Sequence, residues 1–88
     1  MVLPKYYIAL IHKEKDSDYG VSFPDFPGCV TAGKTLEEAK TLAKEALESH
    51  IEGMIEDGEE FPTPTETNKA AELIRKEGAL CAIMVFPE

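Results

Sequence analysis

No regular element can run through residues 23–29, which read Phe-Pro-Asp-Phe-Pro-Gly-Cys. Pro24 and Pro27 lack a backbone donor and hold φ at roughly −65°, so neither fits inside a helix or a central strand. Gly28 can take conformations closed to other residues. The segment is therefore a rigid corner, and the apolar runs on either side of it must be separate strands.

On the N-terminal side, Lys5 to Lys13 (KYYIALIHK) is rich in aromatic and branched residues. Tyr6, Ile8, Leu10 and His12 fall on one face and Tyr7, Ala9 and Ile11 on the other. Both faces are largely apolar, as in a central strand covered on two sides. Glu14 to Asp18 is a charged turn. Tyr19 to Pro24 then alternates, with Tyr19, Val21 and Phe23 inward, and reads as a second, antiparallel strand. After the corner, Cys29 to Ala32 is short and flanked by breakers, which suits a third strand at the sheet edge.

Thr35 to Glu38 (TLEE) is a capping box, in which Thr35 accepts from the amide three residues on and Glu38 reaches back to the cap amide. A long helix follows to about Asp57. Leu36, Ala39, Ala43, Ala46, Leu47, His50 and Met54 recur at three and four residues, and Leu42, Ile51 and Ile55 widen the stripe. Three alanines in that stripe imply close approach to the sheet. Gly58 stops the helix, the prolines of Phe61 to Thr65 enforce an extended linker, and Glu66 to Glu77 reads as a second short helix. Ala79 to Phe86 (ALCAIMVF) is apolar on both faces and reads as a buried fourth strand.

The order is βββααβ, an α+β chain. Helical connections favour parallel placement, so the fourth strand is expected beside and parallel to the first. That gives a mixed four-stranded sheet of order 3-2-1-4 with the long helix on one face, the first half of a ribonuclease H-like sheet.

With 88 residues the chain is one domain and buries only about 60 to 65 % of its unfolded surface, so cover from a copy or a partner is expected. It contains no run of about 18 apolar residues and no export signal, which points to a cytoplasmic protein without a membrane partner. Cys29 and Cys81 lack metal-ligand spacing and read as buried thiols. A net charge of −8 opposes direct binding of nucleic acid and favours a basic partner.

Metal-dependent phosphodiester cleavage on such a sheet needs carboxylates on the central strands. Tyr6 to Lys13 has none, and Ala79 to Phe86 has none. Asp16, Asp18 and Asp25 lie in turns. His50 sits in the helix stripe as a core residue, His12 at a strand end, and Cys29 has no base beside it in sequence. No phosphate loop is present. No catalytic, metal or cofactor residue is expected, and the chain is not read as an enzyme.

Glu56, Asp57, Glu59 and Glu60 surround the end of the long helix, where acids oppose the helix dipole at about 0.3 to 1 kcal/mol each. Such a placement suits pairing with a basic partner. Asp16 and Asp18, with Glu14, form a second acidic group. Tyr19 and Phe26 read equally as loop anchors for the same partner or as lids on the core, and Asp25 in the corner is a further candidate contact.

The segments YYIALIHK, DYGVSFPDFPGC, VTAG, TLEEA and AKEALESHIEGMIEDGEEFPTP, followed by an apolar strand, together resemble the N-terminal domain of HicB-like antitoxins. The resemblance runs from Tyr6 to Phe86. It implies a partial ribonuclease H-like fold and a cytoplasmic antitoxin. Such an antitoxin binds a small basic ribonuclease, HicA, and blocks its mRNA cleavage within a homodimer or larger assembly. It implies no catalytic residue, because the family acts by occlusion. Family members commonly continue into a DNA-binding segment. The expectation here is a single domain over residues 1–88 without one, in which case a stand-alone oligomerisation or regulatory role is the alternative. Self-association is expected through Ala79 to Phe86.

Overall fold

The computed structural model describes residues 6–87. Its elements follow the expected order: β1 (Tyr7–Lys13), β2 (Tyr19–Ser22), β3 (Val30–Gly33), α1 (Leu36–Asp57), α2 (Ala70–Glu77) and β4 (Cys81–Val85), with a 3-10 turn at Thr67–Lys69 leading into α2. Lys5, the expected start of the first strand, lies outside the described residues. The strands form one sheet of order β3-β2-β1-β4.

The sheet is antiparallel throughout, so the expected parallel placement of the last strand is corrected. Tyr7 lies opposite Val85 and Ile11 opposite Cys81. The reason is the route between the helices. By its length of about 33 Å, α1 carries the chain from the turn end of the sheet past the corner end. On that route alone the next strand would run parallel to β1. Instead the extended linker is tied down at the corner end and α2 climbs back, so β4 enters where β1 finishes and Leu80 N–H donates to the Ile11 carbonyl at 2.7 Å.

Both faces of β1 are covered, as its composition requires. On the inner face Tyr7, Ala9 and Ile11 join Val21, Phe23, Phe26, Cys29 and Val85 against Ala39, Ala43, Leu47 and Ile51 of α1. The alanines let the helix sit close, and Gly33 takes this furthest: a Cβ there would fall 2.5 Å from the Ala39 nitrogen. Leu36 and Ile55, expected in the stripe, are exposed. On the outer face Ile8 and Leu10 are each 1 % exposed. On that face Glu77 of α2 shares a cavity with Leu10 and Ser22.

The helix ends behave as the local sequence dictates. Thr35 Oγ1 accepts from Glu38 N–H at 3.0 Å. Glu38 reaches back to the amide of Lys34, one residue before the expected Thr35. Gly58 closes α1 in the left-handed conformation, and the amides of Gly58 and Glu59 return to Ile55 and Met54. The fourth strand is less buried than its composition suggested. Val85 is buried, whereas Leu80, Met84 and Phe86 are more than half exposed, because β4 is a sheet edge that α1 and α2 cover only in part.

Candidate partner-binding surface

Four outer-face residues lie in one row across the sheet: Ala82, Leu10, Ser22 and Val30 are successive cross-strand partners. α2 contacts β4 at one end of that row, and its Glu77 lies beside Leu10. The β2–β3 half is a shelf of small residues, Gly20, Ser22, Val30 and Ala32, on which Val30 is 65 % exposed. The corner bounds the shelf at one end and the charged turn at the other. His12 Nε2 and Ser22 Oγ are hydrogen-bonded at 2.9 Å along its inner margin.

The corner is built as a rigid unit. Phe26 N–H donates to the Phe23 carbonyl and Cys29 N–H to the Phe26 carbonyl, both at 3.0 Å, and Gly28 has a φ of 90°. These successive turns fold Phe26 back into the core. Its ring meets Tyr7 edge-on at 4.5 Å and His50 at 5.3 Å. Phe26 is 3 % exposed, which rules out the loop-anchor reading and makes it a lid on the core. Asp25 is half-buried, and its carboxylate accepts from Thr65 N–H at 2.9 Å and Thr65 Oγ1 at 2.6 Å. It holds the linker to the corner rather than facing outward alone.

The charged turn is ordered by Ser17, whose hydroxyl accepts from Glu14 N–H at 3.0 Å and lies within hydrogen-bond reach of the Glu14 and Asp18 carbonyls. Asp16 sits there with a φ of 65°, a left-handed conformation that Asp tolerates better than most side chains. Asp16 and Asp18 are exposed. Tyr19 is half-buried, with Lys13 Nζ 5.5 Å from its ring centre. Glu56 and Asp57, in the last turn of α1, and Glu59 and Glu60, just beyond it, are exposed. The two acidic groups thus occupy opposite ends of the domain, and the fold does not bring them together. Glu77 shares a cavity lining with Leu10 and Ser22 beside the shelf, but Arg75 and Lys76 stand in the same last turn of α2, so the end of that helix is not acidic as the end of α1 is.

Burial pushes the Cys29 thiol up from its ordinary range, and its Sγ lies 3.7 Å from the Ala46 carbonyl, so it is an inert core thiol. Cys81 is free and half-buried. Burial, and then the Asp25 charge, push the Tyr7 hydroxyl up, and it donates to the Pro62 carbonyl at 2.7 Å. Among the described residues no three His, Cys, Asp or Glu side chains converge as a metal would require, and no helix is long and apolar enough to cross a membrane.

Comparison with known proteins gives three kinds of match. Residues 7–85 match the family model described as "HicB_like antitoxin of bacterial toxin-antitoxin system". Over 56 residues the chain is 57 % identical to an uncharacterized 14.9 kDa protein in the rep-hol intergenic region of Haemophilus phage HP1, covering 64 % of this chain and 41 % of that protein. Over 66 residues it is 36 % identical to Antitoxin HicB 2 of Photorhabdus laumondii, covering 75 % and 46 %. The chain thus spans less than half the length of these two relatives. Among solved structures, a HicA3 and HicB3 toxin-antitoxin complex contains a chain that superposes with a TM-score of 0.74 at 27 % identity, over 94 % of this chain and 98 % of that one.

Proposed function

The chain belongs to the HicB-like antitoxin family of bacterial toxin-antitoxin systems, and from that premise we propose that it binds a small basic ribonuclease of the HicA type and blocks mRNA cleavage by occlusion. The observation that carries this is the superposition, over nearly its whole length, on a chain from a toxin-antitoxin complex. Charge supports it. A chain of net charge −8 attracts a basic protein over distance, and the exposed acids at both ends of the domain steer encounter while apolar contacts hold the complex.

Partner contacts are assigned to the shelf side of the sheet, with Asp16, Asp18 and Tyr19 at the turn. Glu56, Asp57, Glu59 and Glu60 supply long-range attraction. Asp25 acts indirectly, by fixing the corner. The chain works without catalysis, in the cytoplasm, and makes no direct contact with nucleic acid. It assembles with a copy of itself through Ala79 to Phe86, where an open edge strand carries exposed Leu80, Met84 and Phe86.

Co-expression with the product of a neighbouring small basic reading frame tests the reading. The two products are expected to purify as one complex that dissociates at high salt. Separate elution at low salt contradicts it and leaves a stand-alone oligomerisation domain.

A further inference from the structure

The sheet has two open edges, β3 and β4, and α1 treats them differently. On one flank of the helix, Lys40 and Lys44 line a cavity of about 220 Å³ together with residues 83–86 of the β4 edge. Among the described residues these lysines are the charged side chains of that lining. On the other side the helix lies directly on β3: a Cβ at Gly33 would meet the backbone of Ala39 and Glu38, and Cys29 Sγ is 3.7 Å from the Ala46 carbonyl. At about 3.6 residues per turn, Glu38, Leu42 and Ala46 share the flank on that side. We infer that β3 is the edge to which a basic protein partner adds an extended segment, as a fifth strand beside Val30–Gly33. The basic partner is taken from the functional reading above; the choice of edge is read from the structure.

Three observations carry the assignment. The edge is bare: β3 pairs with β2 on one side and has no strand on the other, its sequence VTAG holds no lysine or proline to block pairing, and Val30 is 65 % exposed. There is room beside it. α1 packs on β3 more than on any other strand, so the helix is set toward this edge, and its half-buried Leu42 offers apolar cover to the inner face of an added strand. On the outer face the small residues Gly20, Ser22 and Ala32 leave the approach flat. Charge then selects the occupant. At the Gly33 end of β3 a basic segment meets the exposed carboxylates of Asp18 and Glu38, with Lys34 between strand and helix. At β4 it meets Lys40 and Lys44 beside the strand itself. Backbone hydrogen bonds along β3 supply affinity, and repulsion at β4 supplies the choice of edge.

Amide hydrogen exchange of the full chain, free and bound to the product of the neighbouring small basic reading frame, tests the edge. In the free chain alternate amides of β3, those turned away from β2, are expected to exchange as exposed backbone. In the complex they are expected to slow by at least about tenfold, while the β4 amides keep their free-state rates. A complex that leaves the β3 amides unprotected, or that protects β4 instead, overturns the assignment and leaves the antitoxin reading standing. Val30→Lys combined with Ala32→Lys places like charge on two exposed positions of the edge strand. The double variant is expected to keep its fold, checked by melting temperature, and to bind the partner about tenfold more weakly or worse. Wild-type affinity in that variant also overturns the docking edge. No complex at low salt overturns the functional reading, and the docking edge falls with it. Protection of β3 with undiminished RNA cleavage overturns the antitoxin reading alone.

Discussion

The Asp25 carboxylate holds Thr65 by two hydrogen bonds, 2.9 Å to the amide and 2.6 Å to the hydroxyl, across 40 residues of chain. This contact ties the corner to the linker between the helices, so it governs where α2 begins. Hydrogen bonds to a charged group contribute about 1.5 to 3 kcal/mol. Asp25→Ala is therefore expected to lower the stability measured by urea unfolding by about 2 kcal/mol. Thr65→Val keeps the amide and loses the hydroxyl, and is expected to cost about 1 kcal/mol. Equal stability of wild type and Asp25→Ala would show that the tie does not hold the linker.

Close approach of α1 to the sheet makes a second, steric prediction. Any Cβ at Gly33 meets backbone of Ala39 and Glu38 at 2.5 to 2.9 Å, and backbone cannot rotate away. Gly33→Ala is expected to cost about 1 to 3 kcal/mol by overpacking. Leu47→Ala, which opens a void in the core, is expected to cost about 2 to 5 kcal/mol. Thermal unfolding of the two variants checks both values.

Alkaline pH acts on two core groups. The Tyr7 hydroxyl and the Cys29 thiol are both held above their ordinary values of 10.0 and 9.0, the first by burial and then by Asp25, the second by burial. The folded state therefore keeps these protons more tightly than the unfolded chain. Their stabilising effect is complete below pH 9, and stability falls as pH rises through 9 for Cys29 and 10 for Tyr7. Cys29→Ala is expected to remove the decline that begins near pH 9, and Tyr7→Phe the one beyond pH 10. Melting temperatures recorded from pH 8 to pH 11 test the sign; a rise above pH 9 contradicts it.

The acids at the end of α1 trade stability for attraction. Replacing Glu56 and Asp57 by lysine is expected to raise stability by about 0.3 to 1 kcal/mol per site at low salt while slowing association with a basic partner. Replacing Asp16 by Gly relieves a left-handed side chain and is likewise expected to stabilise, by about 1 kcal/mol, again with slower association. Stopped-flow association rates against ionic strength separate these effects from loss of fold.

The elements, their order and the inner core were legible because each has a local signal: the two-faced apolar run of β1, alternation in β2, the capping box at Thr35, the three- and four-residue stripe of α1, and glycine at its end. The direction of β4 was not. It depends on where residues 59–66 travel, and that path is set by Asp25 with Thr65 and Tyr7 with Pro62, contacts 40 and 55 residues apart that leave no periodic trace. Phe26 illustrates the same limit within seven residues. An aromatic between two prolines reads equally as an exposed anchor or a core lid, and the two tight turns of the corner decide for the core.

Occlusion of a basic ribonuclease is tested most directly by titrating RNA cleavage by the neighbouring gene product with this chain. Cleavage is expected to fall linearly and stop at a fixed stoichiometric ratio, with inhibition weakened by salt. Undiminished cleavage in the presence of excess chain, at low salt and with both proteins folded, would contradict the account.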